Sequence, residues 1–317
     1  MVKIQKNVSL KNYSNFKIGG PADYFLTVKN TEDLIRGLES WKKISEKFVG
    51  NNKKIFILGR GTNLLISDTG FKGLVIHNDI KFIEEKDGLI KAGSAVLVKD
   101  LLDYCVENSL SGIEWAGGLP GTVGGAVRGN AGAFGGEIKS VVDEITSLEV
   151  RNNVLIHHYK NRDCEFGYRT SVFKTNPGKV IISAVFKLKK GDKKKIEREI
   201  EEKKAYRKNR HPLEYPNIGS IFKNMPLEKV SKNLREEFEN SIKIDPFPVL
   251  PTAKLISASG LAGRRVGDAQ VSQKHPNFII NLGHAKSEEV LELINIVKKT
   301  IKNKFGIKLE EEITVLG

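Results

Sequence analysis

Gly117-Gly118-Leu119-Pro120-Gly121-Thr122-Val123-Gly124-Gly125-Ala126-Val127-Arg128-Gly129-Asn130-Ala131-Gly132-Ala133-Phe134-Gly135-Gly136-Glu137 is the stretch whose reading decides the fold. Nine of these 21 residues are glycine. Such density costs backbone entropy, and it suits main chain that must approach another group closely or turn through positive φ. A flexible linker would carry serine and charge. Here Leu119, Val123, Ala126, Val127 and Phe134 can be buried between the glycines. Asn130-Ala131-Gly132-Ala133 keeps side chains small and leaves N–H groups free to face something flat or anionic. Two readings stay open: a loop that packs tightly and binds nothing, or one that grips a ligand with its main chain.

A second glycine segment lies upstream. Ile55-Phe56-Ile57-Leu58 predicts a buried strand, and it runs into Gly59-Arg60-Gly61-Thr62-Asn63-Leu64-Leu65. A strand feeding a glycine turn exposes N–H groups and is a common phosphate cradle. It is not a full dinucleotide fingerprint, because Leu64 stands where the third glycine belongs. The chain has no Gly-x-x-x-x-Gly-Lys-Ser/Thr loop, which argues against a P-loop ATPase.

The rest of the chain alternates strands and helices. Tyr24–Val28 reads as a strand after the Gly19-Gly20-Pro21 break. Thr31 is the expected cap of a helix with Leu34, Ile35, Leu38 and Trp41 on one face, ending near Gly50. Leu74–His77, Leu89–Ala92, Ile145–Val150 and Val180–Leu188 read as strands, and Val98 to Asn108 as a helix. Beyond a charged helix come a turn and strand at Glu214–Asn224 and a short helix at Thr252–Ser259 closed by Gly260. Phe278–Leu282 is a strand, and Glu288 to Lys304 a helix stopped by Gly306. Lys308–Val315 reads as a terminal strand.

With 317 residues there is room for two domains. No apolar run reaches membrane-spanning length, and the first residues lack the apolar core of a signal peptide. Two cysteines, Cys105 and Cys164, make no disulfide framework and are expected as buried reduced thiols in a cytoplasmic protein. The balance of 52 basic and 38 acidic residues, +14 overall, favours anionic partners such as nucleotides. Much of the excess lies in Lys189–Lys195 and Lys203–Arg210, where acids and bases alternate at helical spacing. That pattern reads as a solvated helix joining two domains, not a nucleic-acid surface. The histidines have no metal-ligand spacing, and no metal is expected.

Three features could carry chemistry. Arg169 follows a glycine and an aromatic; it suits carboxylate or phosphate binding, or a surface ion pair. Ser220 follows Gly219 at a turn, where a hydroxyl faces a cleft or merely caps the turn. Glu310, Glu311 and Glu312 lie together, and strand alternation would send Glu311 to the opposite face from its neighbours. Lys274 and His275 could reach a phosphate or punctuate a loop.

At these residues the chain resembles the UDP-N-acetylenolpyruvoylglucosamine reductase family, over nearly its whole length. The resemblance rests on an ordered set of motifs: Phe16–Asp23, Gly59–Leu65, Leu119–Ala126 with Asn130–Glu137, Tyr168–Ser171, Gly219–Asn224, Val271–Ile279 and Leu309–Ile313. It implies an α+β chain with a two-lobed FAD-binding region of the vanillyl-alcohol-oxidase (PCMH) type and an α+β substrate domain. The implied boundaries are 1–76 and 77–190 for the FAD lobes and 191–306 for the linker helix and substrate domain. The C-terminal strand, 307–317, would carry Glu312. FAD would lie on Gly59, Arg60, Gly61, Thr62, Asn63 and Leu64, and on Gly117, Gly118, Pro120, Gly121, Thr122, Gly124, Gly125, Asn130, Ala131, Gly132 and Gly136. NADPH would be the reductant and UDP-N-acetylglucosamine enolpyruvate the substrate. Arg169 and Glu312 would handle charge on the substrate, and Ser220 would give the proton. Glu312 would need to be protonated, or screened by Arg169 and a lysine. Tyr168, Lys223, Asn224, Lys274 and His275 would face the substrate nucleotide.

The chain departs from the family pattern at Asn217-Ile218, His211, Arg128, Ser257 and Met225. Only 51 positions separate Arg169 from Ser220, which implies the shorter subclass without a tyrosine-bearing insertion. A monomer with no nucleic-acid or membrane partner is expected. The competing readings are an alcohol oxidase of the same superfamily, which needs no Ser220 acid, and a basic nucleic-acid-binding protein.

Overall fold

Strand and helix alternate early because apolar residues switch between periods of two and 3.6. In the strand Pro21–Val28, Ala22, Phe25, Leu26 and Val28 are buried. The helix Thr31–Ser45 then turns Leu34, Leu38 and Trp41 inward. Its cap is Asn30, not Thr31: Asn30 Oδ1 accepts from Asp33 N at 2.8 Å. The Asn30 amide oxygen accepts from an otherwise unpaired N–H of the first turn. The computed structural model describes residues 2–47, 53–150, 154–245 and 247–317. The helix stops at Ser45, short of the expected end near Gly50, a position that lies outside the described residues.

The chain divides into two compact units. The first comprises Met1–Val8, Ala22–Arg60 and Lys72–Tyr206, and the second Ser9–Pro21, Gly61–Phe71 and Arg207–Gly317.

Within the first unit, one sheet of four strands runs in the order Gln5–Ser9, Pro21–Val28, Phe71–Asn78, Ile55–Leu58. The last two are parallel, with Ile55 opposite Leu74. A five-stranded sheet follows, ordered Val154–Lys160, Val142–Val150, Lys179–Phe186, Leu89–Gly93, Ile83–Lys86, with antiparallel neighbours. Leu148, Val180 and Ile182 of this second sheet share a core with Leu34, Leu38, Trp41 and Ile76. The helix Val98–Glu107 buries Val98, Leu101, Leu102 and Cys105 in a separate core with Trp115, Val127 and Phe173. Both thiols are free and buried, and burial pushes each up to about 12, as expected of inert cysteines.

The charged helix, Lys193–Arg210, is largely solvated, as its alternating charges require. It is nevertheless docked: Ile196 and Ile200 are buried in the same core as Leu101 and Val127.

In the second unit, a sheet runs Asn217–Ser220, Phe278–Asn281, Ala269–Val271, Arg265–Val266. The helix Ser287–Phe305 lays Val290, Leu293, Ile294, Val297 and Ile301 on its core. Each such buried side chain contributes about 1.5–3 kcal/mol relative to exposure. Gly306 ends the helix at φ +69, a conformation other residues adopt at a cost.

The terminal strand differs from expectation. It is only Thr314–Leu316, parallel to Leu64–Ile66. Glu310, Glu311 and Glu312 precede it, in extended chain that pairs at a single bridge between Phe222 and Glu311. The polar tripeptide gains more from lysine and main-chain partners than from a longer ladder. The alternation argument for the three carboxylates therefore lacks its strand. Among the described residues no helix is long and apolar enough to cross a membrane.

Candidate active site

The tight-packing reading of the glycine stretch holds for four of its glycines. A Cβ on Gly136 would lie 2.2 Å from Trp115 Cδ1, and one on Gly117 would lie 2.6 Å from the carbonyl of Ile200. Gly124 and Gly132 are similarly filled by protein. Those four are bare because the loop packs against its own unit. Gly118 and Gly121, at positive φ, flank Pro120 and carry main-chain N–H groups that no other group claims among the described residues. Thr122 turns its hydroxyl to cap a short helix, accepting from Gly125 N at 3.3 Å, and its own N–H is likewise unclaimed.

Gly59 meets this loop. A Cβ there would lie 3.3 Å from Thr122 Oγ1. The N–H groups of Gly59 and Arg60 are also unclaimed among the described residues. Two glycine segments some sixty positions apart thus bring bare main-chain donors together within the first unit. Such a cluster attracts a nucleotide phosphate without any side chain. Arg128, on the same loop, keeps a guanidinium whose charge is disfavoured by burial. A nearby anion would offset that cost.

The loop is laced to Tyr168–Ser171. Asn130 is fully buried; its Nδ2 donates to Glu137 Oε2 at 2.8 Å and to Gly167 O at 3.0 Å, and its Oδ1 accepts from Lys139 N at 3.0 Å. Ser171 Oγ donates to Arg128 O at 2.7 Å. Arg169 donates from Nη2 to Gly132 O at 2.8 Å, and its guanidinium lies 5.1 Å from the Tyr168 ring centre. Arg169 sits at φ +57, a left-handed conformation that costs a non-glycine residue about 1–2 kcal/mol. Lys174 Nζ holds its carbonyl at 2.9 Å. A strained residue held in place by its surroundings is a candidate for a functional position.

In the second unit, Gly61 is confined: at φ +64, a Cβ would lie 2.0 Å from Tyr13 O. Thr62 follows on the same turn, and Leu64 pairs with Thr314. Asn63 donates to the main-chain carbonyl of Glu312 at 3.1 Å. Glu312 N in turn donates to Ile221 O at 2.8 Å, so Ser220 and Glu312 stand one residue apart across a main-chain bond. Asn217 makes the turn that presents Ser220: its Oδ1 accepts from Gly219 N at 3.1 Å, and Gly219 takes φ +82. Ile218 is 1% exposed and belongs to the core, so both departures from the family pair have a structural role. Met225 is buried in the same core, and Ser257 is exposed. Among the described residues the Ser220 hydroxyl makes no hydrogen bond, which leaves it free to serve a ligand.

The neighbouring lysines are engaged. Lys223 pairs with Glu310, and Lys298 Nζ lies 2.8 Å from Glu311 Oε1. Asn224 Oδ1 accepts from Thr252 N at 3.2 Å. Lys274 Nζ reaches Lys208 O at 3.0 Å and Glu214 Oε2 at 3.4 Å. His275 packs its ring on Phe278 at 4.8 Å and on His211 at 5.4 Å. Burial lowers both histidines to about 4, and for His211 the adjacent His275 adds to the effect. Burial therefore keeps the His275 ring neutral at neutral pH, and its buried Nδ1 has no hydrogen-bond partner among the described residues. Sequence reasoning missed Asn277, 3% exposed and bonded by its side chain to Phe222. Its only sequence signal is a Pro-Asn turn inside a recognised motif.

Residues 22–153 match an FAD binding domain, and residues 211–316 match the C-terminal domain of UDP-N-acetylenolpyruvoylglucosamine reductase. The chain is 39% identical to the enzyme of that name from Clostridium tetani, over 99% of this chain and 92% of the relative. It is 37% identical to the Clostridium novyi enzyme, with the same coverage. The crystal structure of UDP-N-acetylenolpyruvylglucosamine reductase from Thermus caldophilus superposes with a TM-score of 0.77 at 30% identity, over 100% of both chains.

Proposed function

The chain belongs to the UDP-N-acetylenolpyruvoylglucosamine reductase family of oxidoreductases and carries its FAD-binding domain; from that premise we propose that it uses NADPH to reduce UDP-N-acetylglucosamine enolpyruvate to UDP-N-acetylmuramate in peptidoglycan precursor synthesis. The observation that carries the cofactor reading is the approach of Gly59 to Thr122, with N–H groups on both segments unclaimed among the described residues. Those donors, and the half-buried charge of Arg128, fit a group bearing phosphates. The chemistry FAD supplies when bound is hydride transfer, from NADPH to the β-carbon of the enolpyruvyl group.

The chain's own residues do the rest. Hydride arrival leaves negative charge on the substrate α-carbon and its carboxylate. Arg169 is the cation assigned to that charge; its guanidinium is oriented in advance by Gly132 O and the Tyr168 ring. Ser220 Oγ donates the proton to the α-carbon. A serine hydroxyl is a poor acid, so it serves only toward a strongly basic carbanion and only from a fixed position. The Asn217 turn and the bond from Glu312 N to Ile221 O fix that position. Lys223 and Lys298 are held by Glu310 and Glu311, and Arg169 and Glu312 are assigned together to that charge. Lys223, Asn224, Lys274 and His275 are assigned to the substrate nucleotide. The chain works as a cytoplasmic monomer in this reading.

Titration with FAD tests the cofactor reading. Wild-type protein should take up one FAD per chain. Gly59→Val, which fills the gap beside Thr122, should weaken uptake at least tenfold while its unfolding midpoint without FAD stays near wild type. Unchanged FAD affinity in Gly59→Val would remove the cradle.

A further inference from the structure

We propose that Asn277 is a positioning residue for the reduction. It holds the dipeptide Ile221-Phe222, which joins the proton donor Ser220 to Glu312. The proposal rests on the reading of Ser220 as that donor.

The dipeptide has four main-chain polar groups, and two residues satisfy all of them. Ile221 N donates to Asn277 O at 2.8 Å. Phe222 N donates to Asn277 Oδ1 at 3.0 Å, and Asn277 Nδ2 donates back to Phe222 O at 2.8 Å. The fourth group, Ile221 O, accepts from Glu312 N at 2.8 Å. The site is dry: Ile221, Phe222 and Asn277 are 1%, 2% and 3% exposed. An asparagine amide carries one acceptor and a two-proton donor in one plane, so it stands in for a strand edge where none runs. The substitution is needed because the strand Asn217–Ser220 ends its pairing at Ser220 opposite Phe278. Beyond that point the chain has to leave the sheet to meet Glu310–Glu312 without losing its place. Lys223 N then donates to Glu310 O at 2.9 Å, and Thr252 Oγ1 donates to Lys223 O at 2.6 Å.

Asn277 itself is fixed by the turn that carries it. Phe278 N donates to His275 O at 2.9 Å, and His275 N donates to Ser272 Oγ at 3.2 Å. Nothing in this arrangement needs Asn277 to touch substrate. Its effect reaches the reaction through the distance between Ser220 Oγ and the Glu312 carboxylate.

Truncation leaves the N–H and C=O of Phe222 buried and unpaired, so the dipeptide shifts to find partners. A reacting group misplaced by about 1 Å loses on the order of a hundredfold in rate. In stopped-flow, Asn277→Ala should reduce its flavin with NADPH at close to the wild-type rate. Reoxidation by the enolpyruvyl substrate should slow by about ten- to a hundredfold, by the same reasoning. The solvent deuterium isotope effect on reoxidation should rise, because the proton transfer has become the slow step. Substrate affinity should change little. Asn277→Asp keeps the acceptor for Phe222 N–H; it serves where the alanine variant does not fold, and should show the same split between half-reactions.

Ser220→Ala run beside them separates the outcomes. If it blocks reoxidation while both Asn277 variants reoxidise normally, or slow both half-reactions equally without a larger isotope effect, the positioning role is wrong. If Ser220→Ala reoxidises at the wild-type rate, the proton-donor reading fails first and takes this proposal with it.

Discussion

Replacing Asn130 by alanine removes the side chain that ties the glycine loop to the Arg169 segment. Three hydrogen bonds go: to the Glu137 carboxylate, to Gly167 O and from Lys139 N. A hydrogen bond to a charged group contributes about 1.5–3 kcal/mol, and a buried main-chain group left unpaired costs about 1–3 kcal/mol. Residue 130 also sits at φ +41, where alanine is disfavoured by about 1 kcal/mol more than asparagine or glycine. Allowing for non-additivity among neighbours, Asn130→Ala should cost about 3–5 kcal/mol. That is a large share of a total stability of about 5–15 kcal/mol. Asn130→Gly loses the same bonds and relieves the backbone, so it should be about 1 kcal/mol less damaging. Urea melts of the two variants measure both numbers, and FAD titration should show weaker binding in each. An alanine variant within about 1 kcal/mol of wild type would refute the reasoning, since a single unpaired buried group exceeds that. So would a glycine variant less stable than the alanine one.

Glu312→Gln should slow substrate-dependent flavin reoxidation by at least tenfold, whereas Glu311→Gln, which breaks only the Lys298 pair, should change it less than threefold; equal losses would remove the special role of Glu312. Acid should destabilise the protein through His275. Its folded pKa is depressed from 6.5 to about 4, so the unfolded chain binds the proton more readily between those values. Stability is full above about pH 6.5, falls as the pH drops toward 4, and loses on the order of 3 kcal/mol there. His275→Gln should lessen the slope of that limb of a melting-temperature profile, with His211, also lowered to about 4, supplying what remains, and a profile unchanged by the substitution would show that His275 is not buried neutral.

Much of the fold was legible because long elements repeat their apolar residues at a clean period. The helix Ser287–Phe305 shows five inward side chains at helical spacing, with acids at its start and lysines at its end. Glu310–Glu312 misled because a β-like sequence says nothing about whether a partner strand is available. Among the described residues Glu311 forms an isolated bridge with Phe222, and the ladder resumes at Thr314. The charged helix hid its docking in the same way: two isoleucines among lysines and glutamates look solvated until Gly117 is seen against Ile200. Ser220 drew notice from its turn and Arg169 from its glycine neighbour, the two positions on which the proposed chemistry rests. Which glycines are packed against protein was not legible, since glycine carries no sign of what approaches it. Asn277 was invisible for a related reason. A buried asparagine after proline reads as loop punctuation, and its meaning lies 55 positions upstream in the main chain of Phe222.

The central claim is tested most directly by a double-mixing experiment on the wild-type protein loaded with FAD. NADPH is added first and the visible absorbance band of the oxidised flavin is followed; UDP-N-acetylglucosamine enolpyruvate is then added without oxygen. The flavin band should bleach with NADPH, and should return in one phase on addition of the enolpyruvyl nucleotide as UDP-N-acetylmuramate forms. A flavin that bleaches but stays reduced in the presence of that nucleotide would contradict the account.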